Sequence, residues 1–160
     1  MSTTPDQVAN APELMVSEWF NSDTSIFLKD LRGKVVVIEA FQMLCPGCVS
    51  HGLPQIQQVY DAFPADDVAV LGLHTVFEHH AAMPPVSLKA FIHEYRLRFP
   101  VGVDQAGTGP IPKTMEAYGL KGTPSLIIID QEGRLRANHF GHVPDMQVAS
   151  QIATLLSLSA

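Results

Sequence analysis

The chain has 160 residues, 46% of them hydrophobic and 16% charged, with a formal net charge of −6 at pH 7. That balance argues for a packed domain over a disordered chain. With no run of Lys and Arg, it argues against a nucleic-acid-binding surface. The length fits one domain, residues 1–160, able to enclose one core.

The N-terminus, MSTTPDQVANAPELMVSEWF, has no basic segment leading into an apolar one and no lipid-attachment Cys, and no stretch of the chain reads as membrane-spanning. The expectation is a cytoplasmic protein without a membrane partner, although a chain trimmed of a leader would read the same way. In a reducing compartment, the two cysteines point to catalysis or metal binding rather than a permanent staple. Residues 1–12 are polar with two prolines and are expected to be loosely ordered.

The segment LMVSEWFNSDTSIFLKDLRGK has short apolar runs broken by NSD and RGK, which predicts an N-terminal β-hairpin. Val35–Phe41 is a nearly continuous apolar run, as a strand covered on both faces requires. After Cys45 the pattern turns helical, with Pro46 suited to a first turn. Ile56, Val59, Tyr60 and Phe63 continue at helical spacing, and Gly52 and Pro54 predict a bend or break between the two parts.

VAVLGLHT, residues 68–75, predicts a second buried strand. Leu88, Phe91, Ile92 and Tyr95 mark an amphipathic helix with Ser87 as its N-cap. FPVGVD predicts a short strand, and residues 111–118 a short helix that Gly119 can close. SLIIIDQEGRLRANHF predicts a β-hairpin turning at Asp130–Gly133. Val148, Ile152, Leu155 and Leu156 give a last helix one apolar stripe. The order implies an α/β domain with a mixed sheet flanked by helices.

Both cysteines, Cys45 and Cys48, lie in CPGC, where the buried strand becomes a helix. A structural zinc site wants four ligands. His74 and His79 could supply two more, but 25 residues separate Cys48 from His74, beyond the usual finger spacing. Simple core packing of two small residues is the other bland reading. Against it, the first turn of a helix offers free N–H groups and the positive end of the dipole. A Cys45 thiolate would be stabilised there, its pKa lowered toward neutrality. Cys48, one turn further in, would be shielded and placed to close a disulfide, as thiol–disulfide exchange requires.

These residues resemble the thioredoxin-fold thiol–disulfide oxidoreductases, and most nearly the TlpA-like branch of the thioredoxin/AhpC-TSA superfamily. That branch adds an N-terminal hairpin and a central insert. The likeness runs over roughly residues 14–142 and rests on LKDLRGKVVVIEAF, CPGC, GLKGTPS and LIIIDQEGRL in consistent order. It implies a thioredoxin fold and exchange with protein disulfides or thiols. It also implies that Pro124 is a cis-proline facing the cysteines, with the Thr123 backbone offered to an extended substrate. By the same likeness Glu39, a carboxyl inside a buried strand, would have a raised pKa and take the Cys48 proton. A solvated side of the sheet is the alternative place for Glu39.

The chain departs from the pattern in two places. Leu44 stands where most relatives have Trp before the first cysteine, and Cys48 to Pro54 is one residue longer than usual, which predicts a bulge or break near Gly52. Peroxiredoxins, also in the superfamily, use P-x-x-x-T-x-x-C. Here Ile38 and Gln42 precede Cys45 at those positions, and Phe41 and Cys45 precede Cys48, so a thiol peroxidase is the weaker alternative. HTVFEHHAAMPP places His74, Glu78, His79, His80 and Met83 at a strand end, where a metal or substrate loop is conceivable and a solvated loop is the simpler reading. His51, one turn after Cys48, could tune the thiolate but needs no such task. Met43 and Leu44 are expected to form an apolar rim. No flavin or nicotinamide fingerprint is present, since GTG at 107–109 is followed by Pro110. No cofactor is expected, so electrons would come from an external donor such as a thioredoxin reductase or a small thiol. A redox-sensing or metal-handling module using the same sulfurs is the non-enzymatic alternative.

Overall fold

Strand β2 (Val35–Phe41) is buried along all seven residues, which places it in the middle of a sheet covered on both faces. The computed structural model describes residues 8–158. In it, β2 lies parallel to β3 (Val68–His74) and antiparallel to β5 (Ser125–Ile129). With β1 (Val16–Phe20), β4 (Val101–Asp104) and β6 (Leu135–Phe140) the sheet order is β1-β4-β3-β2-β5-β6.

The period of two along β2 divides the core. Val35, Val37 and Phe41 pack with Cys48 and with helices α1 (Leu53–Ala62), α2 (Pro85–Glu94) and α4 (Asp145–Leu158). Val36 and Ile38 face the other layer, with Leu14, Leu28 and Tyr118, the last just after α3 (Lys113–Ala117). Glu39 is in phase with Val37 and Phe41, so its carboxyl enters the layer that holds Cys48. This is the buried alternative, not the solvated one: Glu39 is 1% exposed.

Three expectations need correction. The N-terminal hairpin is absent: β1 pairs antiparallel with β4, and the second half of the segment is a 3-10 turn, Leu28–Leu31. Asn21, at φ 59°, donates from Nδ2 to the carbonyls of Leu97 and Phe99 and turns the chain away. Glu13 then accepts the Leu28 and Lys29 N–H groups, satisfying the start of that turn. Residues 9–11, expected to be loose, are fastened to the β5–β6 turn: Ala11 donates to Gly133, and Leu135 donates to Ala9. Residues 1–7 lie outside the described residues. Helix α2 starts at Pro85 after Pro84, two residues before the expected cap at Ser87, because a proline at the first position needs no N–H partner.

The middle of the chain, where an insert is expected, runs between β3 and β4 as a 3-10 turn, His80–Ala82, followed by α2. The β5–β6 hairpin turns where expected. Asp130 accepts the Glu132 and Arg134 N–H groups, and Gly133 takes φ +83°.

Candidate active site at the start of the first long helix

The chain leaves β2 at Phe41, turns through 42–44 and becomes helical at residue 46. Cys45 and Cys48 are joined by a disulfide, with Cα atoms 5.2 Å apart. Cys48 is fully buried in the helix-side core and Cys45 is half-buried. The Cys48 N–H donates to Cys45 Sγ at 3.2 Å. The outer sulfur therefore sits on a free N–H of a helix's first turn, as the sequence implies.

The extra residue between Cys48 and Pro54 is taken up as a bulge ending at Gly52, not as a break. Cys48–Gly52 forms a π-helical turn, with the Leu53 N–H reaching back to the Cys48 carbonyl. A π turn absorbs one added residue by widening the helix locally. Gly52, like Cys48, faces inward there. A Cβ on it would collide with Glu39 Oε1 and lie 3.1 Å from Pro124 Cβ. The missing side chain thus lets the helix, the buried carboxyl and the Pro124 loop meet.

Glu39 Oε1 has no hydrogen-bond partner among the described residues. Burial pushes the Glu39 carboxyl well above the ordinary carboxylate range. On the other side of the motif, the Thr123–Pro124 peptide is cis. The Pro124 ring borders the motif: a Cβ on Gly47 would lie 3.4 Å from Pro124 Cδ. Pro124 O accepts the Gly141 N–H, while the Thr123 N–H and C=O take no partner among the described residues. The structure therefore brings Glu39, Cys45, Cys48, Thr123 and Pro124 to one place.

Leu44 is 57% exposed beside Cys45, whereas Met43 packs against the core, so only Leu44 forms an open apolar rim. Trp19 is on β1 at the far edge of the sheet and takes no part. His51 stacks on His142, ring centres 3.7 Å apart, with its Nε2 3.2 Å from the Val143 carbonyl. His79 and His80 are exposed, and His80 Nε2 lies 2.9 Å from the Pro110 carbonyl. Among the described residues, no group of three or more His, Cys, Asp or Glu could hold a metal ion.

The sequence marks His74 only as a conceivable metal or substrate ligand and Gln42 only as a mismatch to the peroxidase pattern, yet each is 1% exposed. A histidine ending an apolar strand and a glutamine just past another were the available signals.

The model of the AhpC/TSA family matches residues 9–138. The chain belongs to the AhpC/TSA family. Within it, the chain is 25% identical over 124 residues to the thiol-disulfide oxidoreductase ResA of Halalkalibacterium halodurans, covering 78% of this chain and 64% of ResA. It is 27% identical over 139 residues to protein DipZ of Mycobacterium tuberculosis, covering 85% of this chain and 19% of DipZ. The chain thus spans less than two thirds of these curated relatives. Among solved structures, a thioredoxin-like superfamily protein is 66% identical with a TM-score of 0.91, covering 92% of this chain and 96% of that one. A thiol-disulfide isomerase from Corynebacterium glutamicum is 50% identical with a TM-score of 0.87, covering 92% and 97%. This AhpC/TSA chain has the thioredoxin fold. At Gln42, where the peroxidase pattern asks for a threonine hydroxyl, it buries an amide.

Proposed function

We propose that this protein is a thiol–disulfide oxidoreductase that acts on protein disulfides through Cys45 and Cys48. The observation that carries the reading is the asymmetry of the pair: a half-buried sulfur at a helix start, bonded to a sealed one beneath it. In the reducing direction, the Cys45 thiolate attacks a substrate disulfide, and one substrate sulfur leaves as a thiolate. The Cys48 thiol gives up its proton, for which the Glu39 carboxylate is the nearby base, and Cys48 attacks Cys45 Sγ. The second substrate sulfur departs, two electrons have passed to the substrate, and Cys45–Cys48 is oxidised. Thr123 would pair its free backbone groups with an extended substrate segment, and Pro124 would hold that loop against the motif. An external reductase or a small thiol would restore the dithiol, in the cytoplasm or wherever the chain resides.

Catalytic reduction of insulin disulfides in the presence of dithiothreitol tests the activity. Cys48→Ala should trap a mixed disulfide at Cys45, detectable by mass spectrometry. An inert wild type and no trapped adduct would remove the reading.

A further inference from the structure

His74 closes β3 with its ring inside the core, 5.2 Å from the Phe41 ring and opposite Phe41 in the parallel register. A buried imidazole must satisfy its nitrogens or lose free energy. The Met43 N–H points at His74 Nε2 from 3.2 Å, so that nitrogen accepts and the ring proton sits on Nδ1. Desolvation lowers the ring's pKa to about 4, which keeps this acceptor available at neutral pH.

The neighbouring contacts form one tether. Phe41 O accepts the Thr75 N–H at 3.0 Å. The Gln42 side chain, itself buried, accepts the Phe77 N–H at 3.2 Å and reaches Glu78 Oε1 at 3.5 Å. Gln42 O in turn accepts the Cys45 N–H at 3.2 Å. Each residue from Phe41 to Met43 is thus held by the segment that begins at His74, and the last link ends on the backbone of Cys45.

We infer that His74 is a positioning residue for Cys45: its Nε2 fixes the Gln42–Leu44 turn that delivers the outer sulfur to the helix start. This rests on the exchange reading above and adds a residue outside the motif. The sulfur's reactivity depends on where it sits relative to the first-turn N–H groups, a distance the turn sets.

The test compares two variants of the full chain. His74→Phe keeps an aromatic ring of similar size and removes the acceptor. His74→Gln keeps an acceptor near the place of Nε2. The readouts are the rate of Cys45 alkylation at pH 7 in the reduced protein and the midpoint of the pair's redox titration against glutathione. His74→Phe should slow alkylation about tenfold, equivalent to one unit in the sulfur's pKa, and displace the midpoint. His74→Gln should stay within about twofold of wild type. Wild-type behaviour in His74→Phe, or an equal loss in both variants, overturns the inference. If His74→Phe does not fold, the nitrogen-15 spectrum of the wild type decides. An unprotonated Nε2 at pH 7 with a protected Met43 amide supports the tether, and a protonated Nε2 overturns it. None of these readouts needs a protein substrate, so failure of insulin reduction would remove the exchange reading alone.

Discussion

Gly52 stands over the Glu39 carboxyl with no side chain between them, since a Cβ there would collide with Glu39 Oε1. The same Cβ would press on Pro124, 3.1 Å away, so a larger residue has no clear direction in which to relax. Gly52→Ala is therefore expected to destabilise the fold by about 1–3 kcal/mol, read by urea unfolding of the oxidised protein. A midpoint equal to wild type would mean that the carboxyl swings aside at little cost.

Glu39 titrates abnormally because its charged form is desolvated, which fixes the sign of its contribution to stability. Its folded-state pKa lies above the ordinary 4.5. The folded chain therefore holds a proton that the unfolded chain has lost as the pH rises past 4.5. The stability present below that value is lost as the pH climbs through the folded-state pKa. Glu39→Gln keeps the shape without the ionisation, so its stability should decline less than wild type's above pH 4.5. On the proposed role, the same variant should also slow resolution of the mixed disulfide. Unfolding curves at several pH values and a stopped-flow chase of the mixed disulfide test the two claims separately.

His74 gives the opposite slope on the acid side. Its pKa falls from 6.5 to about 4 on folding because burial disfavours the imidazolium. Between those values the unfolded chain binds the proton and the folded chain does not, so stability decreases as the pH drops from 6.5 through 4. The loss should approach roughly 3 kcal/mol. His74→Gln should flatten that limb of the profile. An unchanged acid limb in the variant would assign the loss to other groups.

Much of this architecture was legible in the residues. The unbroken run Val35–Phe41 marks a central strand, CPGC at its end marks a helix start, and Asp130 with Gly133 marks a tight turn. What the sequence concealed depends on contacts between distant segments. The N-terminal strand pairs with β4, more than 80 residues away, and no local pattern names that partner. A one-residue excess before Pro54 predicts some irregularity, but only the packing of Gly52 on Glu39 and Pro124 favours a π turn over a break. His74 reads as a strand-end residue and Gln42 as a mismatch to the peroxidase pattern until the strand register brings them to the turn before Cys45.

Asp104 is a second place where one buried carboxyl organises a connection. Its oxygens accept the Thr114 N–H at 2.8 Å, the Met115 N–H at 3.0 Å and the Thr75 hydroxyl at 3.0 Å. It thereby caps α3 and ties it to the segment after β3. Asp104→Ala would leave three donors without an acceptor, which should cost about 3 kcal/mol. Asp104→Asn, which retains one acceptor oxygen, should lose less. Chemical denaturation of the two variants tests the order.

The two sulfurs should differ sharply in reactivity once reduced. Cys45 is half-buried at the helix start with the Cys48 N–H aimed at its sulfur, while Cys48 is sealed in the core. Accessibility and a nearby donor both favour reaction at the outer position. Iodoacetamide at pH 7 should therefore modify Cys45 faster than it modifies a free cysteine, leaving Cys48 unlabelled until the chain unfolds. Peptide mapping after a short pulse resolves the two sites. Equal labelling of both sulfurs in the folded protein would contradict the asymmetry on which the proposed exchange chemistry depends, because a resolving thiol open to solvent would be intercepted before it could displace the substrate.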